Sequence, residues 1–128
     1  MAVVKEVVTG PGMPPGLGPY SQGVRAGDLL FVSGQAGLDP ATGKAAGDGF
    51  GDQARQAMGN LEAVLAAGGS GLDRVVNTTV LIADFAHFAE LNQVYTESFP
   101  VDPPARMTVQ TTLPGGLLIS IGCVALAG

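Results

Sequence analysis

The residue with the most evident chemical potential is Arg106, the only charged side chain between Pro103 and Gly128. It stands at the head of a largely apolar stretch, and a desolvated guanidinium without an anionic partner is costly. No acidic residue follows Asp102, so the partner is either a carboxylate from elsewhere in the protein, another subunit included, or a ligand. The planar fork of arginine suits recognition of a ligand carboxylate.

Three further residues bear on the kind of chemistry. Asn92 falls among aromatic residues at helical spacing, and an amide in that setting must bond either to a loop backbone or to a ligand. Cys123 lies in an apolar segment without basic neighbours, which is typical of a small hydrophobic residue and not of a nucleophile. With one cysteine and one histidine, His87, the chain offers no zinc cluster, and we expect neither a metal nor a cofactor.

Composition narrows the class of protein. The 128 residues are 46% hydrophobic and 13% charged, which fits one compact domain spanning residues 1–128. The net charge of −5 and six scattered basic residues argue against a nucleic-acid partner. We find no signal peptide and no apolar run of about 18 to 20 residues, so we expect no membrane segment and a cytoplasmic location. The scarcity of charge favours a homo-oligomer that buries apolar surface.

The elements that position these residues follow from hydrophobic periodicity. Alternation and turn signals predict three opening strands, the first over Val3 to Val8 and the third over Leu29 to Ser33. Helical spacing from Asp52 predicts a first helix that ends at Gly68 and Gly69. A fourth strand is predicted over Val75 to Ile82.

A second helix and two closing strands complete the pattern. Asp84 is a good N-cap for the helix, whose inward seam is predicted to be Phe85, Phe88, Asn92, Tyr95 and Phe99. The last strands are predicted near Ala105 to Thr111 and Leu117 to Leu126. The order βββαβαββ predicts an α+β fold with one mixed sheet and two helices on one face. In a trimer, neighbouring sheets would cover the other face.

Several segments together resemble the RidA family, also called the YjgF or endoribonuclease L-PSP family. They are Gly18-Pro19-Tyr20-Ser21-Gln22, Phe31-Val32-Ser33-Gly34-Gln35, Gln53 through Leu61, Phe88-Ala89 with Asn92 and Tyr95, Pro104-Ala105-Arg106, and Leu113-Pro114. The resemblance spans nearly the whole chain. It implies a fold like that of the bacterial type of chorismate mutase, in which three subunits pack their sheets into a homotrimeric barrel with clefts between neighbours.

The resemblance also implies an activity and a site. The family hydrolyses reactive 2-imino or enamino acids to 2-keto acids and ammonia, so the expected substrate is a small imino or keto acid bearing a carboxylate. Arg106 matches the position that binds this carboxylate. Thr108 falls where a cysteine or threonine commonly sits two residues later, and the matched cleft-lining positions are Tyr20, Ser33, Gly34 and Asn92. The structural alternatives are that Arg106 forms an ion pair between subunits and that Tyr20 is a core aromatic residue.

The last strand departs from the family pattern. Relatives usually carry a glutamate there that is thought to orient the attacking water, whereas alignment from Leu113-Pro114 puts Ser120 in its place. A hydroxyl keeps hydrogen bonding but loses basicity and reach, so the resemblance implies weak or altered deaminase activity, with Ser120 and Thr108 as the candidate catalytic residues. The alternatives are a binding protein for small carboxylates, a different reaction, and the ribonuclease of the older family name, which the acidic balance disfavours. A further alternative is that Ser120 has no catalytic role and is simply a residue of the strand.

Overall fold

A computed structural model describes residues 2–128 as two helices on one face of a six-stranded sheet. The strands are β1 (Lys5–Val7), β2 (Gly23–Ala26), β3 (Leu29–Ala36), β4 (Val75–Ile82), β5 (Ala105–Gln110) and β6 (Ile119–Leu126), and the helices are α1 (Phe50–Ala67) and α2 (Phe88–Ser98). The strand order is β1-β2-β3-β6-β4-β5. Strands β4 and β5 are parallel and all other neighbours antiparallel. The predicted α+β fold with one mixed sheet is therefore confirmed, and residue 1 lies outside the described residues.

Helix α1 forms because its apolar residues repeat at helical spacing. Ala54, Ala57, Leu61 and Leu65 are fully buried against the sheet. The helix ends at the predicted glycines, where Gly69 takes a φ of 77° that favours glycine. No helix within residues 2–128 is long and apolar enough to cross a membrane.

Strand β6 lies in the middle of the sheet, between β3 and β4. Its residues alternate, because Ile119, Ile121 and Cys123 are buried on the helix side whereas Ser120 and Gly122 are only half-buried on the other face. Burial raises the pKa of the Cys123 thiol to about 12, so the thiol stays protonated at neutral pH. Cys123 is accordingly core, as its apolar surroundings in the sequence indicate.

The face of the sheet opposite the helices is apolar and open to solvent in this chain. The large hydrophobic side chains exposed along its strands include Leu29, Phe31, Val76, Met107, Val109 and Leu126. Met107 is the most exposed of them at 62%. An apolar patch of this extent is typical of a surface that another protein covers.

The inward face of α2 differs from the predicted seam. Tyr95 and Phe99 are buried as expected, but Phe85 and Phe88 are 46% and 38% exposed, and their places are taken by Leu91 and Val94. The cause is a 3₁₀ turn over Phe85–His87, which Asp84 caps by accepting a bond from the Ala86 amide at 2.8 Å. The α-helix proper begins only at Phe88, so the apolar face is rotated relative to a helix starting at Asp84.

Gln53 joins α1 to the loop that leads into β6. Its side chain is 1% exposed, donates from Nε2 to the carbonyls of Gly47 and Gly116 at 3.0 Å each, and accepts from the Leu118 amide at 2.8 Å. Buried polar groups are nearly always paired, and this single side chain satisfies two carbonyls and one amide. It thereby fixes the start of β6.

We expect Gln53→Leu to lower the free energy of unfolding by about 2–4 kcal/mol, because it leaves several buried backbone groups without partners. Urea denaturation at one fixed protein concentration measures the loss. Gln56→Leu is the matched control, since Gln56 lies on the same helix, is half-buried and donates only to Asn60. Equal losses in the two variants would contradict the anchoring role of Gln53.

Candidate functional site

Arg106 lies on the edge strand β5 and points toward helix α2. It pairs in register with Thr78 of β4, and paired residues share a face of the sheet. Its guanidinium carbon lies 4.8 Å from the centre of the Tyr95 ring and 5.5 Å from that of Phe88, within the range of cation–π attraction. The two rings therefore orient the guanidinium.

A hydrogen bond in the core holds the Tyr95 side chain in place. Its hydroxyl and Thr78 Oγ1 are 2.6 Å apart in the core. Burial, the main influence, raises the pKa of the Tyr95 phenol, against smaller lowering effects of Thr78 and Arg106. The phenol thus stays neutral at physiological pH, and the guanidinium rests on a neutral ring with no counter-charge.

No acidic group within residues 2–128 neutralises Arg106. Within residues 2–128, the basic side chains that lie within 4.0 Å of a carboxylate are Arg55, at 3.2 Å from Glu97, and His87, at 4.0 Å from Glu90. The sequence analysis left two kinds of partner open for Arg106, a protein carboxylate and a ligand. Within the described residues, no carboxylate of the same chain pairs with it. Since a half-buried cation gains strongly from an anion, a ligand or another subunit remains as its source.

Two other predicted residues accompany Arg106. Arg106 and Asn92 line one pocket of about 380 Å³, together with Tyr95, Thr96 and Phe99. Thr108 lies two residues along β5 on the same face, and its Oγ1 is buried with no hydrogen-bond partner among the described residues. We call Arg106, Thr108 and Asn92 the arginine cluster. It combines a cation, a hydroxyl and an amide, which are the groups needed to bind a small polar acid.

The remaining predicted residues lie around the start of β6. Ser120 pairs with Ala36 of β3, and a Cβ atom added to Gly34 would come within 2.6 Å of Ser120 Oγ. Gly34 therefore leaves room beside the hydroxyl. Tyr20, 48% exposed, lines the same cavity as Gly34 and Ser120. Ser33 is committed to structure, since its Oγ donates to the Ser21 carbonyl at 2.5 Å. We call Tyr20, Ser33, Gly34 and Ser120 the serine cluster.

Two glutamines that the sequence analysis did not select hold one wall of this cavity. Gln35 Nε2 donates to Gln22 Oε1 at 2.7 Å, and Gln22 Nε2 donates to the carbonyls of Pro14 and Pro15 at 3.2 and 3.0 Å. Gln35 is 3% exposed. The signal that could have revealed it was a glutamine in a strand otherwise rich in inward-facing apolar residues.

The two clusters lie on opposite faces of the sheet. Arg106 shares the helix face with Thr78, which is fully buried beneath α2. Ser120 pairs with Leu81, which is displaced by one residue from the buried Val80 and Ile82 and so faces away from the helices. Within one protomer, the arginine and serine clusters cannot contact the same small molecule.

The described part of the chain offers no metal site, since its His, Cys, Asp and Glu side chains form no group of three suited to hold an ion. The arginine and serine clusters supply hydroxyl groups, a side-chain amide and one guanidinium, which can bind a small molecule by hydrogen bonds.

The chain is similar to known proteins along nearly its whole length. The family model for endoribonuclease L-PSP matches residues 12–127. A protein of Arabidopsis thaliana named chloroplastic Reactive Intermediate Deaminase A is 42% identical over 125 residues, 97% of this chain and 67% of that protein. A mouse protein named 2-iminobutanoate/2-iminopropanoate deaminase is 37% identical over 128 residues, 99% of this chain and 95% of that protein. The crystal structure of E. coli TdcF with bound serine has a TM-score of 0.90 at 32% identity, over 96% of this chain and 99% of that one.

Proposed function

This chain belongs to the endoribonuclease L-PSP family, also called the RidA or YjgF family, and we propose on that premise that it hydrolyses 2-imino and enamino acids. The products are 2-keto acids and ammonia. The names of the Arabidopsis and mouse relatives support this reaction. The serine bound to the E. coli structure supports an amino-acid-sized ligand bearing a carboxylate.

The observation that carries the proposal is the state of Arg106. Its guanidinium is held against the rings of Tyr95 and Phe88 and has no acidic partner within residues 2–128. Orienting the fork in advance lowers the entropy lost when an anion binds. A ligand carboxylate is the partner that fits this arrangement.

We place the complete site between two protomers of a homotrimer. Since the arginine and serine clusters occupy opposite faces of one sheet, an arginine cluster of one protomer would meet the serine cluster of its neighbour. The exposed apolar face of the sheet supports such an assembly, because packing three of these faces together would remove them from water.

In the proposed reaction, Arg106 binds the carboxylate and so fixes the position of the imine carbon. Water attacks that carbon, the carbon–nitrogen double bond is replaced by a carbon–oxygen double bond, and the nitrogen leaves as ammonia after taking up the protons of the water. Holding the reactants in place accelerates such a step without a nucleophilic side chain. Ser120 and Thr108 supply hydroxyls that hydrogen-bond water or the substrate. Neither is a base at neutral pH, so the rate should be low.

A second candidate function has one specific observation in its favour. The position equivalent to the water-orienting glutamate of relatives holds a hydroxyl, and no carboxylate follows Asp102. A protein with this site could bind small carboxylates without turning them over. The two functions are separated by generating 2-iminobutanoate in the presence of the protein: keto acid released faster than in its absence supports hydrolysis, and an unchanged rate supports binding alone. Release as fast as with a glutamate-bearing relative would overturn the prediction of a low rate.

The two-protomer site is tested by combining two defective variants. We expect Arg106→Gln and Gly34→Val, each alone, to weaken binding of 2-oxobutanoate by about 100-fold or more, the first by losing the cation and the second by filling the space beside Ser120. Co-expressed at equal levels, they should assemble at random, so that about a quarter of all clefts in the trimers carry both intact clusters. Calorimetric titration should recover about that fraction of the sites.

No recovery in the mixed trimers, although both variants assemble and the wild-type protein binds, would mean that one protomer supplies the whole site. If either variant alone binds 2-oxobutanoate as the wild-type protein does, the altered residue is not part of the binding site.

A further inference from the structure

The cavity beside Ser120 is closed on most sides by apolar groups. It has a volume of about 190 Å³ and lies between the loop containing Pro14 and Leu17 and the segment that leads into β6. Among its lining residues are Pro14, Leu17, Leu38, Leu113, Pro114 and Leu117. An apolar cavity of about 150 Å³ suffices to hold a benzene ring, so this one has room for a branched or aromatic side chain.

The polar groups that line the cavity are largely occupied by the protein itself. Both glutamines use their Nε2 atoms within the chain, Gln35 toward Gln22 and the Ser33 carbonyl, and Gln22 toward Pro14 and Pro15. Asp39 also lines the cavity, and its carboxylate accepts from the Ala41 amide at 2.8 Å. A negative charge at that point repels a ligand carboxylate. The acid group of a ligand therefore belongs at Arg106 of the neighbouring protomer in the proposed trimer, and the cavity is left for its apolar end.

The small side chain at position 120 keeps the cavity open. Ser120 projects beside Gly34, where a glutamate would bring both bulk and a second negative charge. The same substitution that removes a base thus enlarges the apolar space next to it.

From these observations we propose that the cavity determines specificity, and that the protein prefers imino and keto acids with branched or aromatic side chains of about four to seven carbons over those with a methyl or ethyl group. The inference rests on the proposed function, since it assumes that the ligand carboxylate binds Arg106. Its physical basis is burial of apolar surface, which raises affinity about fourfold for each CH₂ group removed from water.

The test compares the binding of 2-oxo-4-methylpentanoate and 2-oxo-3-phenylpropanoate with that of 2-oxopropanoate to the wild-type protein, followed by hydrolysis of the corresponding imines. We expect both larger keto acids to bind at least about tenfold more tightly than 2-oxopropanoate. Tighter binding of the larger acids without hydrolysis would leave the inference standing and overturn the proposed reaction. Hydrolysis with equal or weaker binding of the larger acids would overturn the inference alone, and failure of all three acids to bind would overturn both.

A cavity-filling variant links the preference to this location. Ala36 lines the cavity and pairs with Ser120, so Ala36→Leu should lower the ratio of large-acid to small-acid affinity by about tenfold or more. Ala41→Leu, on an exposed loop position outside the cavity lining, should leave the ratio unchanged. If Ala36→Leu does not fold, Leu17→Trp at the 64% exposed rim replaces it. An unchanged ratio in a folded cavity variant would contradict the assignment.

Discussion

Replacing Arg106 by glutamine is expected to weaken the binding of a small keto acid by about 100-fold or more, because two charge-assisted hydrogen bonds to the carboxylate are lost. Calorimetric titration with 2-oxobutanoate measures the change. Arg106→Lys keeps the charge but not the planar fork, so its loss should be intermediate. Arg55→Gln is the control, since Arg55 is exposed and pairs with the exposed Glu97 of α2.

The same variant separates a ligand-binding arginine from a structural one. If Arg106 instead bridged two subunits, its replacement would weaken the oligomer and leave no selective effect on ligand affinity. Analytical ultracentrifugation of Arg106→Gln at dilute concentration therefore accompanies the titration. An assembly that falls apart, with no weakening of binding in the molecules that remain assembled, would contradict the carboxylate-binding role.

Introducing a carboxylate at the serine cluster is expected to raise the rate of imine hydrolysis strongly. A positioned general base typically contributes about 10²- to 10⁴-fold, so Ser120→Glu should accelerate keto-acid release from 2-iminobutanoate by a factor in that range. Ser120→Gln has nearly the same size and reach without the basicity, and should show little gain. The comparison thereby distinguishes basicity from occupancy of the cavity.

A result in which Ser120→Glu and Ser120→Gln behave alike would show that the site lacks more than this carboxylate. The protein would then be a binding protein or would catalyse another reaction. Because the glutamate also narrows the apolar cavity, the gain should be larger for 2-iminobutanoate than for an imine with a phenyl group.

The alternation and helical spacing of the sequence were sufficient to predict the sheet with its two helices, and the exceptions have local causes. Phe85 and Phe88 were assigned to the core because their spacing continues that of Tyr95 and Phe99. A 3₁₀ turn before α2 shifts the helical repeat, so that Phe85 and Phe88 no longer lie on the buried face of the helix. The cap at Asp84 was visible in the sequence, but the length of the turn that followed it was not.

The location of the candidate site was less predictable than its residues. A register irregularity between Val32 and Gln35 in β3 changes which residues face the helices, so that both Val32 and Gln35 are buried although three positions apart. Alternation alone therefore misplaces Gly34 and Gln35. That Arg106 and Ser120 lie on opposite faces depends on the pairing of β4 with β5 and β6, which no local pattern specifies.

The central position of β6 also constrains how the chain folds during synthesis. Strands β3 and β4 are separated in the sheet by β6, the last of the six to be translated. Until that strand emerges from the ribosome, β3 and β4 each present an unpaired edge, and unpaired edges of this kind promote aggregation of incomplete chains. The complete sheet is therefore expected to assemble only after β6 has been synthesised, whereas α1, α2 and the β2–β3 hairpin can form earlier from local contacts.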